Sequence, residues 1–258
     1  MRGLVLLSLV PSALMGAPPD LVHPPADAVR DANGMSHRVT LPGRGGRGPQ
    51  GNDILIAHFT GWDAEGKVVV QTRSADDPRS VPLDRLMPGM RMAFGQMTPG
   101  EQRRVWIPEA LAFNGAAGKP RGTLVMDLEL IDVLPHPSQP PADVSGPPPD
   151  AQKLRSGLRW KVLRVGHGKD HPRLSHHVSV HYSGWTTDGK LFDSSLLKGT
   201  PALLRMREVI DGWMEGLPLM VVGERRRFWI PEQLAYRGEA GKPKGMLVFD
   251  VELVGIHP

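Results

Sequence analysis

The chain is one unit written twice. A shift of 123 positions lays Thr60-Gly61-Trp62 on Ser183-Gly184-Trp185 and Gly100-Glu101 on Gly223-Glu224. It lays Trp106-Ile107-Pro108-Glu109 on Trp229-Ile230-Pro231-Glu232, and Gly118-Lys119-Pro120 on Gly241-Lys242-Pro243. Residues 34–133 pair with 157–256 without a gap, and about 34 of the 100 pairs are identical. The preceding Pro-Pro-x-Asp-Ala also matches, at 24–28 and 147–151. This period is too long for a solenoid repeat, so the chain reads as two tandem domains of about 100 residues each.

Within the second copy the pattern is mostly strand. Leu158 to Val165 and Val178 to Tyr182 alternate roughly between apolar and polar, Arg225 to Ile230 is closed by Pro231, and Met246 to Val254 alternates at its end. Asp188-Gly189 reads as a hairpin turn. The one good helix candidate spans about 207–217. Strands with one short helix make an α+β unit, an antiparallel sheet wrapped on that helix.

Composition excludes several chemistries. The 258 residues contain no cysteine, so there is no disulfide, thiolate nucleophile or Cys-based metal site. Net charge is +4, with no block of five basic residues, which argues against nucleic-acid binding. Arg225-Arg226-Arg227 is the densest basic run, and alternation puts its side chains on both faces of a strand. His167, His171, His176, His177 and His181 lie close together, but on a loop and a strand, and read as solvated surface rather than a metal site. Gly43-Arg-Gly-Gly-Arg-Gly48 is followed by no helix pattern and is read as a loop between strands, not a phosphate loop.

Residues 1–17 look like a signal peptide: one Arg, a short apolar stretch, then small residues. Export to a periplasmic or extracellular compartment follows, with no stable membrane insertion after processing. Residues 18–33 and 135–152 are Pro-rich. Seven prolines between 135 and 150 forbid helix interior and central strand, so this stretch reads as a semi-rigid spacer. The domains are then placed at 34–134 and 153–258.

The stretches VSVHYSGWTTDGKLFDSS, TPALLRMREVIDGWMEGLPLMVVGERRRFWIPEQLAY and GMLVFDVELVGI give the second copy a family resemblance. In order, spacing and residue type it resembles the FKBP-type peptidyl-prolyl isomerases, over about 156–256. The resemblance implies a bent sheet on one short helix, isomerase activity on X–Pro bonds of unfolded or folding polypeptides, and no cofactor or metal. It maps the pocket floor onto Trp213 and its walls onto Tyr182, Phe192, Val209, Ile210 and Phe249. It maps the polar contacts onto Asp193, Tyr236 and the Ile210 N–H. The sequence departs from the family at Ala202, where a large apolar residue is usual. The loop after Tyr236 is also short and lacks the family's Ile-Pro pair. The expected partners are proline-containing polypeptides, with the protein a monomer. A non-catalytic peptide-binding or chaperone protein built from the same domains is the alternative.

The first copy carries Phe59 for Tyr182, Val69 and Val70 for Phe192 and Asp193, and Leu86 and Met87 for Val209 and Ile210. It carries Met90 for Trp213, Phe113 for Tyr236 and Met126 for Phe249. Every pocket hydroxyl and the carboxylate are gone, so this copy is expected to be catalytically silent. Its methionines at 87, 90, 92, 97 and 126 either refill the core or offer a soft apolar surface; the core is favoured.

Overall fold

Each copy folds its alternating segments into a seven-stranded antiparallel sheet, as a computed structural model of residues 17–72 and 78–258 describes. Residues 1–16, nearly all of the stretch 1–17 that carries the signal-peptide reading, lie outside the described residues. By its contacts the chain forms two compact units.

The first sheet contains β1 (Val29–Arg30), β2 (Ser36–Leu41), β3 (Ile54–Trp62), β4 (Val68–Gln71), β5 (Arg79–Pro82), β6 (Gln102–Ile107) and β7 (Leu124–Leu134). Its order is β1-β2-β6-β7-β3-β4, with β5 also paired to β3. One helix, α1 (Pro88–Gly95), packs through Met90, Ala93 and Phe94. Met90, Met97 and Met126 are buried, while Met92 is exposed. Three of the five methionines therefore fill the core, and two of these, Met90 and Met126, do so where the second copy has rings.

The second sheet repeats this plan. It contains β8 (Gln152–Lys153), β9 (Arg159–Arg164), β10 (His177–Thr186), β11 (Leu191–Ser194), β12 (Ala202–Arg205), β13 (Arg225–Ile230) and β14 (Leu247–His257). Its order is β11-β10-β14-β13-β9-β8, with β12 also on β10. The β10–β11 hairpin turns at Asp188-Gly189 as expected. Gly189 has φ +85°, and its N–H donates to the Thr186 carbonyl at 2.9 Å.

The helix of this unit, α2 (Asp211–Gly216), opens at Asp211 rather than near 207. Ile210 just before it is extended, with φ −61° and ψ 151°, so the chain enters the helix from a strand-like residue. Trp213 and Leu217 drop into a core with Val178, Val180, Met206, Phe228, Ile230, Phe249 and Val251. Arg225, Arg226 and Arg227 lie on β13. Arg226 is buried on one face against Glu224 at 2.5 Å, while Arg227 on the other face pairs with Asp250 at 2.6 Å.

His181 is not solvated surface: it is 3% exposed, because its position on the central strand β10 puts it inside the unit. The segment after β7, read as a semi-rigid spacer, is docked on its own sheet. The Trp185 indole donates to the Pro137 carbonyl at 2.7 Å, and the Trp229 indole donates to the Asp143 carbonyl at 3.0 Å. Asp143 also pairs with Arg227. The proline-rich strap is thus pinned to the outer face of its own sheet.

The first unit repeats the clamp at the same offset. The Trp106 indole donates to the Asp20 carbonyl at 2.6 Å, and Arg104 pairs with the Asp20 carboxylate at 3.1 Å. Buried indole N–H groups need an acceptor, and a strap without its own N–H donors at proline offers free carbonyls. The structural repeat therefore begins upstream of residue 34, at Asp20 and Asp143.

Candidate active site

Strands β10, β11 and β14 and the start of α2 bring the aromatic residues of the second copy into one cup. Trp213 is buried within it, 5% exposed. Tyr182 meets it edge-on, with centroids 5.2 Å apart and planes at 82°. Phe249 packs on Trp213 at 5.3 Å and on Phe192 at 5.4 Å, both T-shaped. Such edge-to-face pairs are favoured by the ring quadrupoles and hold the rings in place. Val209, Ile210 and Tyr236 are half-buried against the same cluster. All seven apolar or aromatic residues assigned to the pocket are thus brought together.

Gly184 makes the close packing possible. A Cβ built there would lie 2.6 Å from Phe249 Cε1 and 2.7 Å from Phe192 Cζ. The strand register also shifts between Gly184 and Trp185, an irregularity in the β10–β11 pair next to the cluster.

The eighth assigned residue, Asp193, stands at the rim. Tyr182 Oη donates to its Oδ2 at 2.5 Å, Lys198 Nζ reaches its Oδ1 at 2.6 Å, and the Ser194 N–H donates at 2.9 Å. Burial works against its charge, but the Lys198 and Tyr182 hydrogen bonds outweigh it and hold the carboxyl below the usual carboxylate range. The same environment pushes the Tyr182 phenol up, chiefly by burial and then by Asp193. Tyr236 is pushed up too, by burial and then by the charges of Asp193 and Glu239. Both phenols are therefore neutral donors at neutral pH. The Ile210 N–H precedes the first helical turn, where no intrahelical acceptor exists.

Lys198 is a residue that the sequence reading missed. It lies five positions after Asp193 in an exposed loop, with its ammonium also 5.9 Å from the Tyr182 ring centroid. A lone lysine beside a glycine gives no periodic signal, and only the turn that folds the loop back reveals the pair. Ala202 sits half-buried on β12, and the loop after Tyr236 is a run of turns with positive φ at Arg237, Gly238, Gly241 and Gly245. The rim on that side is lower than a large side chain at 202 would make it.

The first copy has no counterpart to this chemistry. Phe59 and Phe113 are half-buried, Met90 and Met126 are buried, and Val70 stands where Asp193 would be. Among the described residues no group of three His, Cys, Asp or Glu is placed to hold a metal ion. None of the helices there is long and apolar enough to cross a membrane.

Comparison with known proteins bears on both copies. The model of the FKBP-type peptidyl-prolyl cis-trans isomerase family matches twice, at residues 45–131 and 168–254. A macrophage infectivity potentiator of Trypanosoma cruzi is 46% identical over 112 residues, covering 42% of this chain and 57% of that protein. A peptidyl-prolyl cis-trans isomerase of Schizosaccharomyces pombe is 37% identical over 107 residues, covering 39% of this chain and 96% of that protein. The crystal structure of FkpA from Escherichia coli aligns with a TM-score of 0.41 at 38% identity, covering 43% of this chain and 53% of that one. The chain spans about half the length of most curated relatives it matches. With two family matches spaced by the internal repeat, the chain belongs to the FKBP-type peptidyl-prolyl cis-trans isomerase family.

Proposed function

We propose that the protein is a peptidyl-prolyl cis-trans isomerase acting on X–Pro bonds of unfolded or folding polypeptides, with the activity in the second domain. The observation that carries this is the aromatic cup of Tyr182, Phe192, Trp213 and Phe249 with Asp193 at its rim, present in one copy and absent from the other.

Rotation about an X–Pro bond has a barrier of roughly 18–20 kcal/mol because the amide loses its resonance. The twisted amide has a smaller dipole than the planar one, so an apolar pocket disfavours it less than water does. No proton or nucleophile has to move. The prolyl ring would sit on Trp213, walled by Tyr182, Phe192, Val209, Ile210 and Phe249. The Ile210 N–H and the Tyr236 hydroxyl would hold peptide carbonyls. Asp193, kept ionised by Lys198, would fix Tyr182 and set the field at the twisted bond. Catalysis then rests on positioning and desolvation.

The first domain would be a scaffold without turnover, since Met90 and Met126 occupy the volume of the floor and wall. Export follows from the apolar first 17 residues, and determination of the mature N-terminus by mass tests it. Activity is tested with a protease-coupled isomerisation assay on Xaa-Pro peptides using the full chain. Acceleration above the uncatalysed rate is expected. A folded protein with none would instead favour a peptide-holding role.

A further inference from the structure

On β10, Tyr182 faces the cup, so its neighbours His181 and Ser183 face the other side of the sheet. There the strap that follows β7 arches over the strands and leaves a cavity of about 480 Å³, within the size range of small-molecule sites. Its apolar lining includes Pro137, Leu163, Trp185 and Leu196; its polar lining includes His181 and Arg225.

The charged groups of this cavity are not equivalent. Arg227 is spent on Asp250 and Asp143, and Glu252 is spent on Arg164. Arg225 has no ion pair among the described residues, and its Nε is buried without a hydrogen-bond partner. His181 is 3% exposed; its Nδ1 lies 3.3 Å from Ser195 Oγ and its Nε2 has no partner. Buried polar atoms are rarely left unpaired, and a guanidinium carries its charge at any physiological pH. A permanently cationic Arg225 without an ion pair, on the same cavity as the ring of His181, asks for an acceptor with negative charge. In the tautomer whose Nδ1 accepts from Ser195, His181 Nε2 carries the hydrogen and donates. Burial pushes the His181 pKa down to about 4, so this donor is neutral and does not repel Arg225.

We propose that this cavity is a second binding site, separate from the cup, for a small amphipathic carboxylate. The carboxylate lies against Arg225 and His181, and the apolar body lies against Leu163, Trp185 and Leu196 under the strap.

Calorimetric titration of the full chain with decanoate tests this, with the uncharged decanamide as control. Saturable one-site binding of decanoate is expected, weakened at least about tenfold in Arg225→Gln and for decanamide, the loss of one charge-assisted hydrogen bond. Leu163→Trp, which fills the cavity, is expected to abolish binding, with circular dichroism checking that it folds. If it does not fold, the Arg225→Gln and decanamide comparisons decide alone. Absence of saturable decanoate binding overturns the proposal. So does equal affinity in Arg225→Gln, the outcome expected if decanoate enters the cup instead.

Discussion

Tyr182 donates its phenolic hydrogen to Asp193 Oδ2 at 2.5 Å, tying the wall of the cup to the one carboxylate at its rim. The bond holds the Tyr182 ring edge-on to Trp213 and, with Lys198, keeps Asp193 ionised despite partial burial. Tyr182→Phe keeps the ring and removes the donor. It is expected to raise the Asp193 pKa and to lower kcat/KM by a few-fold, with the fold intact. Carbon-detected NMR titration of the carboxyl and the coupled peptide assay check both effects.

Gly184 is where the cup is most sensitive to one added carbon. A Cβ there would stand within 2.7 Å of both Phe192 and Phe249, too close for either ring to stay where it is. Gly184→Ala is expected to destabilise the second domain by about 1–3 kcal/mol, the usual cost of overpacking, and to depress activity. Urea unfolding followed by tryptophan fluorescence measures the first effect and the peptide assay the second.

The strap clamp predicts a stability effect far from the cup. Trp229→Phe removes the donor to the Asp143 carbonyl and leaves a gap beside the strap. A loss of about 1–3 kcal/mol is expected from the unmade hydrogen bond and packing. Trp106→Phe should do the same in the first unit, where the donor reaches Asp20. Calorimetric melting of each variant reads the change.

His181 sets a pH dependence. Burial holds its pKa near 4, while an unfolded histidine titrates near 6.5. Between those values the unfolded chain binds a proton that the folded chain does not, so stability rises with pH. Its contribution is complete above about pH 7 and is lost as pH falls from about 6.5 towards 4, by up to about 3 kcal/mol. Arg225, Arg227, Asp250 and Glu252 line the same cavity. Urea midpoints at pH 7 and 4.5 are expected to differ less for His181→Gln than for the parent chain.

Much of this architecture is legible in the residues. The 123-residue offset carries over to the sheets almost strand for strand, because β6 and β13 hold the same Trp-Ile-Pro end and β7 and β14 the same alternating run. The aromatic residues and Asp193 are reached through the family resemblance of the second copy, and their side chains do lie together. What stayed hidden depends on contacts between segments far apart in the chain. The strap is proline-rich and has no periodicity, so its docking shows only where Trp185 and Trp229 find carbonyls to bond. Asp20 and Asp143 are isolated acids in the sequence, and only Arg104 and Arg227 give them a role. His181 alternates like a surface residue, yet the strap and the central position of β10 bury it. Lys198 becomes part of the site only when its loop folds back on Asp193.

We propose turnover in the second cup and none in the first. The most direct measurement is kcat/KM for an Xaa-Pro peptide with the full chain, with Asp193→Val, and with Met90→Ala at the position equivalent to Trp213. Acceleration by the parent chain, a loss of about tenfold or more in Asp193→Val, and no change in Met90→Ala are expected. Activity retained in Asp193→Val, or lost in a folded Met90→Ala, would contradict it.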